Sequence, residues 1–270
     1  MSERDGYQPG VPCWISSRHS DAEAAARFYA RLFGWKAEKI TPAGMPGSLF
    51  ICKLRGRDVA AIGPPQGAGA PVVPAWETCI WADSAQETVQ KAAQAGGRAL
   101  AGPLASFDGG RAAVLADPAG AVFGVWQPGT HRGAQLVNEP GAWSWSALNT
   151  HNVEASKAFY AAIFGWQTGT FGTGDGQVTL WRVPGYVGGE PKQPVARDVV
   201  AGMVPAPAQV APHWSVDFWV DNVDATADTA LKLGGTVISA PASTQAGRTA
   251  VLADPQGAQF SVSKVAGAAD

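Results

Sequence analysis

The chain carries the same text twice, and this limits its folds more than any other feature. Asp21-Ala-Glu-Ala-Ala-Ala-Arg-Phe-Tyr-Ala-Arg-Leu-Phe-Gly-Trp35 returns as Asn152-Val-Glu-Ala-Ser-Lys-Ala-Phe-Tyr-Ala-Ala-Ile-Phe-Gly-Trp166, an offset of 131. Arg57-Asp-Val-Ala-Ala61 returns at Arg197, Trp76 and Trp81 return as Trp214 and Trp219, and Ala113-Val-Leu-Ala-Asp-Pro118 returns at Ala250. A period of half the chain implies two homologous units. We place them at residues 8–130 and 138–266, with a linker at 131–137 that continues the Gly- and Pro-bearing stretch Gln127–Gly133. The offset grows from 131 to 140 ahead of Arg197, so nine extra residues fall in the second unit, within Pro184–Pro194 or the Gly-rich turn before it. They read as a plain surface loop or as a lid over a pocket.

Within each unit the apolar rhythm runs strand, helix, three strands, twice over. Ala25, Phe28, Tyr29, Leu32 and Phe33 form one helical stripe in a helix from about Asp21 that Gly34 ends. Ser20 with Glu23, and Ser84 with Glu87, read as capping boxes. Strand-like runs follow at Trp35–Lys39, Ser48–Leu54 and Asp58–Gly63, then a Pro-rich stretch Pro64–Pro74. A second unit starts at Trp76–Ala82, with a helix from Ser84 to Ala95 stopped by Gly96-Gly97 and strands near 97–100, 111–116 and 121–126. The fold class is therefore α+β, with the βαβββ pattern repeated four times. One such unit is too small to bury its own sheet, so the units must pair.

Strand alternation assigns faces. Val216, Phe218 and Val220 belong on the helix side, with Ser215, Asp217 and Trp219 opposite. In the first half Thr78, Ile80 and Ala82 are helix-side, and Glu77, Cys79 and Trp81 face away. A face that sets Trp beside Asp or Glu reads either as the wall of a concave pocket or as sheet-interface core.

The repeated Phe-Tyr-x-x-Leu/Ile-Phe-Gly-Trp, the strand–helix–Gly-Gly unit and the closing Asp-Pro-x-Gly resemble the vicinal oxygen chelate superfamily, which includes glyoxalase I, bleomycin-resistance proteins and extradiol dioxygenases. The resemblance covers nearly the whole chain and is closest to two-domain actinobacterial members. It implies tandem glyoxalase-like domains, each a U-shaped, mostly antiparallel sheet around a cavity. The family's metal-ligand places fall here at Trp14 and Trp145, at Glu77 and Ser215, at Gly124 and Ser261, and near Ala61 or Ala201. Only Glu77 has a donor suited to a divalent ion, and a catalytic site needs about three from the protein. The sequence thus predicts no metal and no other cofactor, with His213, on the strand face of Ser215, as the one candidate exception.

Other features are read more simply. Gly172–Gly176 precedes a strand and reads as a hairpin turn rather than a phosphate cradle. Cys79 reads as a packed thiol, because an ionised Glu77 beside it would raise its pKa. Arg18, Arg111 and Arg248 are possible ion partners of Glu77 and Asp217. Lys and Arg total 20 against 22 Asp and Glu, so no cationic surplus invites nucleic acid or a membrane. Three widely spaced cysteines and the absence of an apolar leader fit a cytoplasmic protein, a monomer or weak homodimer. Eleven Trp in such a chain point to an aromatic or hydrophobic small-molecule partner. The ligand-binding candidates are Trp14, Cys79, Trp81 and Trp126 in one pocket and Trp145, Ser215, Trp219 and Ser261 in the other. Two readings remain open. One is a metal-independent binding protein for a planar natural product, as in the drug-binding relatives. The other is a metal-independent tailoring enzyme, of hydroxylase, lyase or isomerase type, with Glu77 or Asp217 as the acid–base group.

Overall fold

The computed structural model describes residues 2–41, 47–65, 73–106, 109–172, 178–188, 195–245 and 247–265. Most of the expected hairpin turn at Gly172–Gly176, residues 189–194 of the Pro184–Pro194 stretch and most of the Pro-rich stretch after Pro64 lie outside the described residues. The first half runs β1 (Pro12–Arg18), α1 (Ala22–Phe33), β2 (Lys36–Lys39), β3 (Phe50–Leu54), β4 (Arg57–Gly63), β5 (Ala75–Trp81), α2 (Ala85–Gln94), β6 (Arg98–Ala105), β7 (Arg111–Ala116) and β8 (Val122–Gln127). The second repeats it as β9 (Trp143–Thr150), α3 (Val153–Phe164), β10 (Gln167–Phe171), β11 (Val178–Arg182), β12 (Val199–Pro205), β13 (His213–Trp219), α4 (Val223–Lys232), β14 (Thr236–Thr244), β15 (Gly247–Ala253) and β16 (Gln259–Val265).

Each half is one eight-stranded open sheet, ordered β2-β3-β4-β1-β5-β8-β7-β6 and β10-β11-β12-β9-β13-β16-β15-β14. The βαβββ units therefore pair within a half, through β1 on β5 and β9 on β13, both antiparallel. Only β1 with β4, β5 with β8 and their repeats run parallel. The helix boundaries are set by caps. Asp21, not Ser20, caps α1 by accepting from Ala24 N at 2.8 Å, and Gly34 closes it at φ 74°. The Ser20 hydroxyl instead donates to Gln256 of the other half at 2.9 Å, which is why no capping box forms there. Ser84 caps α2 as expected.

The helices pack across the halves. Phe33 of α1 meets Phe218 of β13 at 4.7 Å between ring centroids, and Tyr29 meets Phe260 of β16 at 5.5 Å. In the mirror arrangement Tyr160 of α3 meets Phe123 of β8 at 5.5 Å. Each of the two apolar cores is consequently built from both halves. The repeated motifs are the clamps between them. Tyr29 accepts from Trp76 Nε1 at 2.9 Å and donates to Asp254 Oδ2 at 3.1 Å. Tyr160 accepts from Trp214 Nε1 at 2.9 Å and donates to Asp117 Oδ2 at 3.3 Å. The other oxygen of each Asp accepts two backbone N–H groups of its own Asp-Pro turn. Trp35 and Trp166 each donate to a carbonyl of the opposite half, Gly141 and Gly10, at 2.7 Å.

Candidate functional site

The two faces turned away from the helices have matching addresses and different chemistry. In the first half Trp14 lies opposite Cys79, Gly124 beside Cys79, and Trp126 beside Trp81. These side chains are packed: Trp14 is 3%, Cys79 6%, Trp81 5% and Trp126 7% exposed. Their cover comes from the chain itself. The linker puts His131 edge-on to Trp14 at 4.5 Å and to Trp126 at 5.7 Å. Arg132 lies over the Trp81 ring at 5.6 Å and Tyr7 is 6.3 Å from it. An N-terminal arm holds the linker in place through Arg4 N to Gln135 O at 3.0 Å, Tyr7 Oη to Ala134 O at 2.7 Å and a bridge between Glu3 and Leu136. The linker also donates from Ala134 N to Cys13 O and from Gln135 N to Asp58 O. The stretch read as a linker is thus tied to the first half and the N-terminal arm and forms the lid of the first face.

Burial raises the Glu77 carboxyl, against the pull of Arg18, and raises the Cys79 thiol strongly, with Glu77 adding to it. The Cys79 thiol points at Glu77 Oε1 at 3.6 Å. A thiol so placed is protonated and packs rather than attacks. Gly124 completes this packing, since a Cβ there would lie 2.4 Å from Cys79 Sγ.

In the second half the counterparts of Cys79 and Trp126 are Asp217 and Ser263, and the face is open. Trp145, Ser215, Asp217, Trp219, Ser261 and Ser263 are all partly exposed. Asp217 sits at the centre, opposite Trp145 on β9 and beside Ser261 on β16. Its Oδ1 accepts from Ser263 Oγ at 2.5 Å and from Ser144 Oγ at 2.8 Å. Burial pushes the carboxyl up to about 6, and the two serine hydroxyls pull against that. Both donors use one oxygen, so Oδ2 is the atom left to meet a ligand. Ser215 is held by Asn149 Nδ2 at 3.1 Å and donates to Ala147 O at 3.1 Å. A carboxyl that titrates near neutrality, between two indoles and with one oxygen fixed, can orient a polar group on a flat molecule or move a proton.

Ser263 lies two residues beyond Ser261, so strand alternation already marks its face. Ser144 has no such signal: alternation puts it opposite to Trp145. It reaches Asp217 because the register skips it between Trp145 and Trp143, a bulge that re-aims the side chain. The covering residues Tyr7, His131 and Arg132 had no sequence signal either, lying in segments without periodicity. Of the arginines, Arg248 pairs with Asp224 at 2.5 Å and Arg111 donates to Pro103 O, so neither reaches Asp217. His213 is exposed on the strand end, with Nδ1 2.9 Å from the backbone oxygen of Ala211.

The donors at the family's ligand places are indole, carboxyl and glycine in one half and indole and two hydroxyls in the other. Among the described residues no three His, Cys, Asp or Glu side chains form a group able to hold a metal ion. This donor set does not fit a divalent metal, which asks for several converging N, O or S ligands.

Comparison with known proteins matches the family described as "Glyoxalase-like domain" at residues 14–126 and again at 132–263. The protein named "Putative glyoxylase CFP32" of Mycobacterium tuberculosis is 38% identical over 98% of this chain and 99% of its own. The "Anthracycline biosynthesis protein DnrV" of Streptomyces peucetius is 35% identical over 95% of this chain and 94% of its own. Among solved structures, a Mn(II)-bound glyoxalase from Novosphingobium aromaticivorans aligns with a TM-score of 0.61 at 17% identity, over 94% of this chain and 82% of that one. At that identity the likeness is one of fold.

Proposed function

The chain belongs to the glyoxalase-like domain family, within the vicinal oxygen chelate superfamily, and on that premise we propose that it binds a planar, hydrophobic small molecule without a metal, on the open face of its second half. One observation carries the reading: Trp145 and Trp219 flank a half-buried Asp217 on a partly exposed face, while the matching first-half tryptophans are closed over by the chain's own arm and linker. Indoles offer flat apolar area, and each aromatic stack is worth about 0.5–1.5 kcal/mol beyond burial. Asp217, Ser215 and Ser261 supply the few polar groups that orient a ligand in such a site. The anthracycline biosynthesis proteins among the relatives point to fused-ring natural products as the ligand class. The first-half set of Trp14, Cys79, Trp81 and Trp126, with Glu77, then serves as packing that anchors the lid.

A second reading is favoured by one feature, the fixed Oδ1 and free Oδ2 of Asp217. That geometry suits a general acid or base in a metal-independent tailoring step on the same ligand. Three free, buried cysteines support a reducing compartment, the cytoplasm. Among the described residues no helix is long and apolar enough to cross a membrane.

Tryptophan-fluorescence titration with anthraquinones and related fused-ring aromatics, with and without chelator, tests the proposal. Saturable quenching that survives chelator and is lost in Trp219→Ala is expected. Quenching abolished by chelator would refute the metal-free claim. Turnover that disappears in Asp217→Asn while the ligand still binds would select the enzyme reading over simple sequestration.

A further inference from the structure

The N-terminal arm that closes the first face also lines a cleft beside the second. Arg4 and Tyr7, together with Tyr186, border this cleft, whose lining includes Trp145, Ser144 and Val200. Trp145 is shared with the proposed ligand face, and Ser144 is the residue that holds Asp217. Gly202 gives the Trp145 indole its place, since a Cβ there would lie 3.0 Å from Nε1. Among the described residues no acidic residue lines this cleft. Among the described residues Arg4 is the one cation that lines it, and its backbone is fixed by the bond to Gln135 O.

Asp5 and Asp58 line a separate cavity that Arg4 also borders, and three further acids are paired elsewhere. Asp198 is paired with Arg182 at 2.5 Å, Glu3 with Arg57 at 2.9 Å, and Glu139 with Arg55. Among the described residues no carboxylate pairs with Arg4. Burial raises the Tyr186 phenol, and the charges of Arg4 and Arg197 act against it, so two guanidinium groups influence this end of the cleft. The cleft therefore offers a cation, a phenolic hydroxyl and an indole, and Ser144, which lines it, is bonded to the Asp217 carboxyl of the neighbouring face.

We propose that Arg4 and Tyr186 form an anion subsite, so that the ligand is a flat aromatic bearing an anionic oxygen, a carboxylate or an ionised phenol, directed to Arg4 and away from Asp217. This rests on the ligand-binding reading given above. A guanidinium is suited to both oxygens, because its planar donors match carboxylate geometry and remain charged at any working pH. Asp217, outside the cleft lining and reached through Ser144, sets the orientation, since a negative group beside it would be repelled once the carboxyl ionises.

The test uses the full chain and matched probes: anthracene-2-carboxylate against anthracene-2-carboxamide, and alizarin against anthraquinone. Wild-type protein should bind the acid roughly tenfold more tightly than the amide. Arg4→Gln should erase that preference while leaving the amide within about twofold, Arg4→Lys should keep part of it, and Tyr186→Phe should reduce it with the arm intact. A preference for alizarin over anthraquinone that Arg4→Gln also erases assigns the phenolate; its absence assigns the carboxylate. An acid-to-amide ratio unchanged in Arg4→Gln overturns the anion subsite, while loss of amide binding in Trp219→Ala would still uphold the wider reading. If no probe binds wild-type protein, both fall.

Discussion

At the residue scale the informative comparison is between positions that the repeat makes equivalent. Cys79 and Asp217 share an address, yet one is a sealed thiol and the other a titrating carboxyl. The Asp217 carboxyl is held up at about 6 by burial, against ~3.9 in an unfolded chain. Between roughly pH 4 and 6 the folded chain keeps a proton that the unfolded chain has released, so stability falls as pH rises through that window and is flat above it. The side chain is partly exposed, which limits the effect to about 1–2 kcal/mol. Denaturant unfolding at pH 4 and pH 7 should show this difference in the native chain and lose it in Asp217→Asn; an unaltered slope in the variant would show that another group is responsible. The tryptophans divide in the same way. Trp81→Ala empties a packed site and should cost about 3–5 kcal/mol, whereas Trp219→Ala, on the open face, should cost less in thermal unfolding and act on ligand binding instead. Equal losses of stability would mean that both faces are core.

At the element scale the four helices do the joining. The helix α1 presents Phe28, Tyr29 and Phe33 to strands of the other half, and Tyr29 carries its hydroxyl to an Asp-Pro turn more than two hundred positions away. Tyr29→Phe leaves the Trp76 N–H without its acceptor and removes one donor from Asp254, in a buried setting. Unfolding free energy should drop by about 1–2 kcal/mol, and Tyr160→Phe should match it because the mirror network is the same. A negligible effect of both would mean that the clamps are incidental to the packing. These elements also show what a sequence yields. The helical stripes, their glycine stops and the strand alternation around Phe218 and Asp217 were all readable, because each depends on local periodicity. That the Phe-Tyr and Asp-Pro motifs meet across the halves was not readable. Their partners are long-range, and a motif shared by two copies does not reveal whether it bonds within its own copy or to the other. The Ser144 bulge was hidden for a related reason: one extra residue in a strand leaves no trace in the pattern.

At the scale of the whole molecule the duplication has produced two faces with different cover, and the linker that separates the repeats in sequence is what distinguishes them in space. Residues 131–135 and the N-terminal arm cover one face, while the equivalent face of the other half has no such cover among the described residues. The sequence showed two units and a connecting stretch. It did not show that the connection had become part of one unit's interior, because a segment with no periodicity carries no sign of what it packs against. Since each apolar core draws on both halves, neither half holds a complete core of its own. Residues 1–133 expressed alone would leave Phe28, Tyr29 and Phe33 without Phe218 and Phe260, and Phe123 without Tyr160. Exposed apolar area on that scale is not compatible with a stable monomer. The isolated half should therefore run as a dimer or aggregate in size-exclusion chromatography and melt without a cooperative transition as a monomer. Mixing it with residues 134–270 should restore a single cooperative melt near that of the intact chain. A monomeric half that melts cooperatively unaided would show that the cross-packed helices are dispensable and that the two units are independent domains.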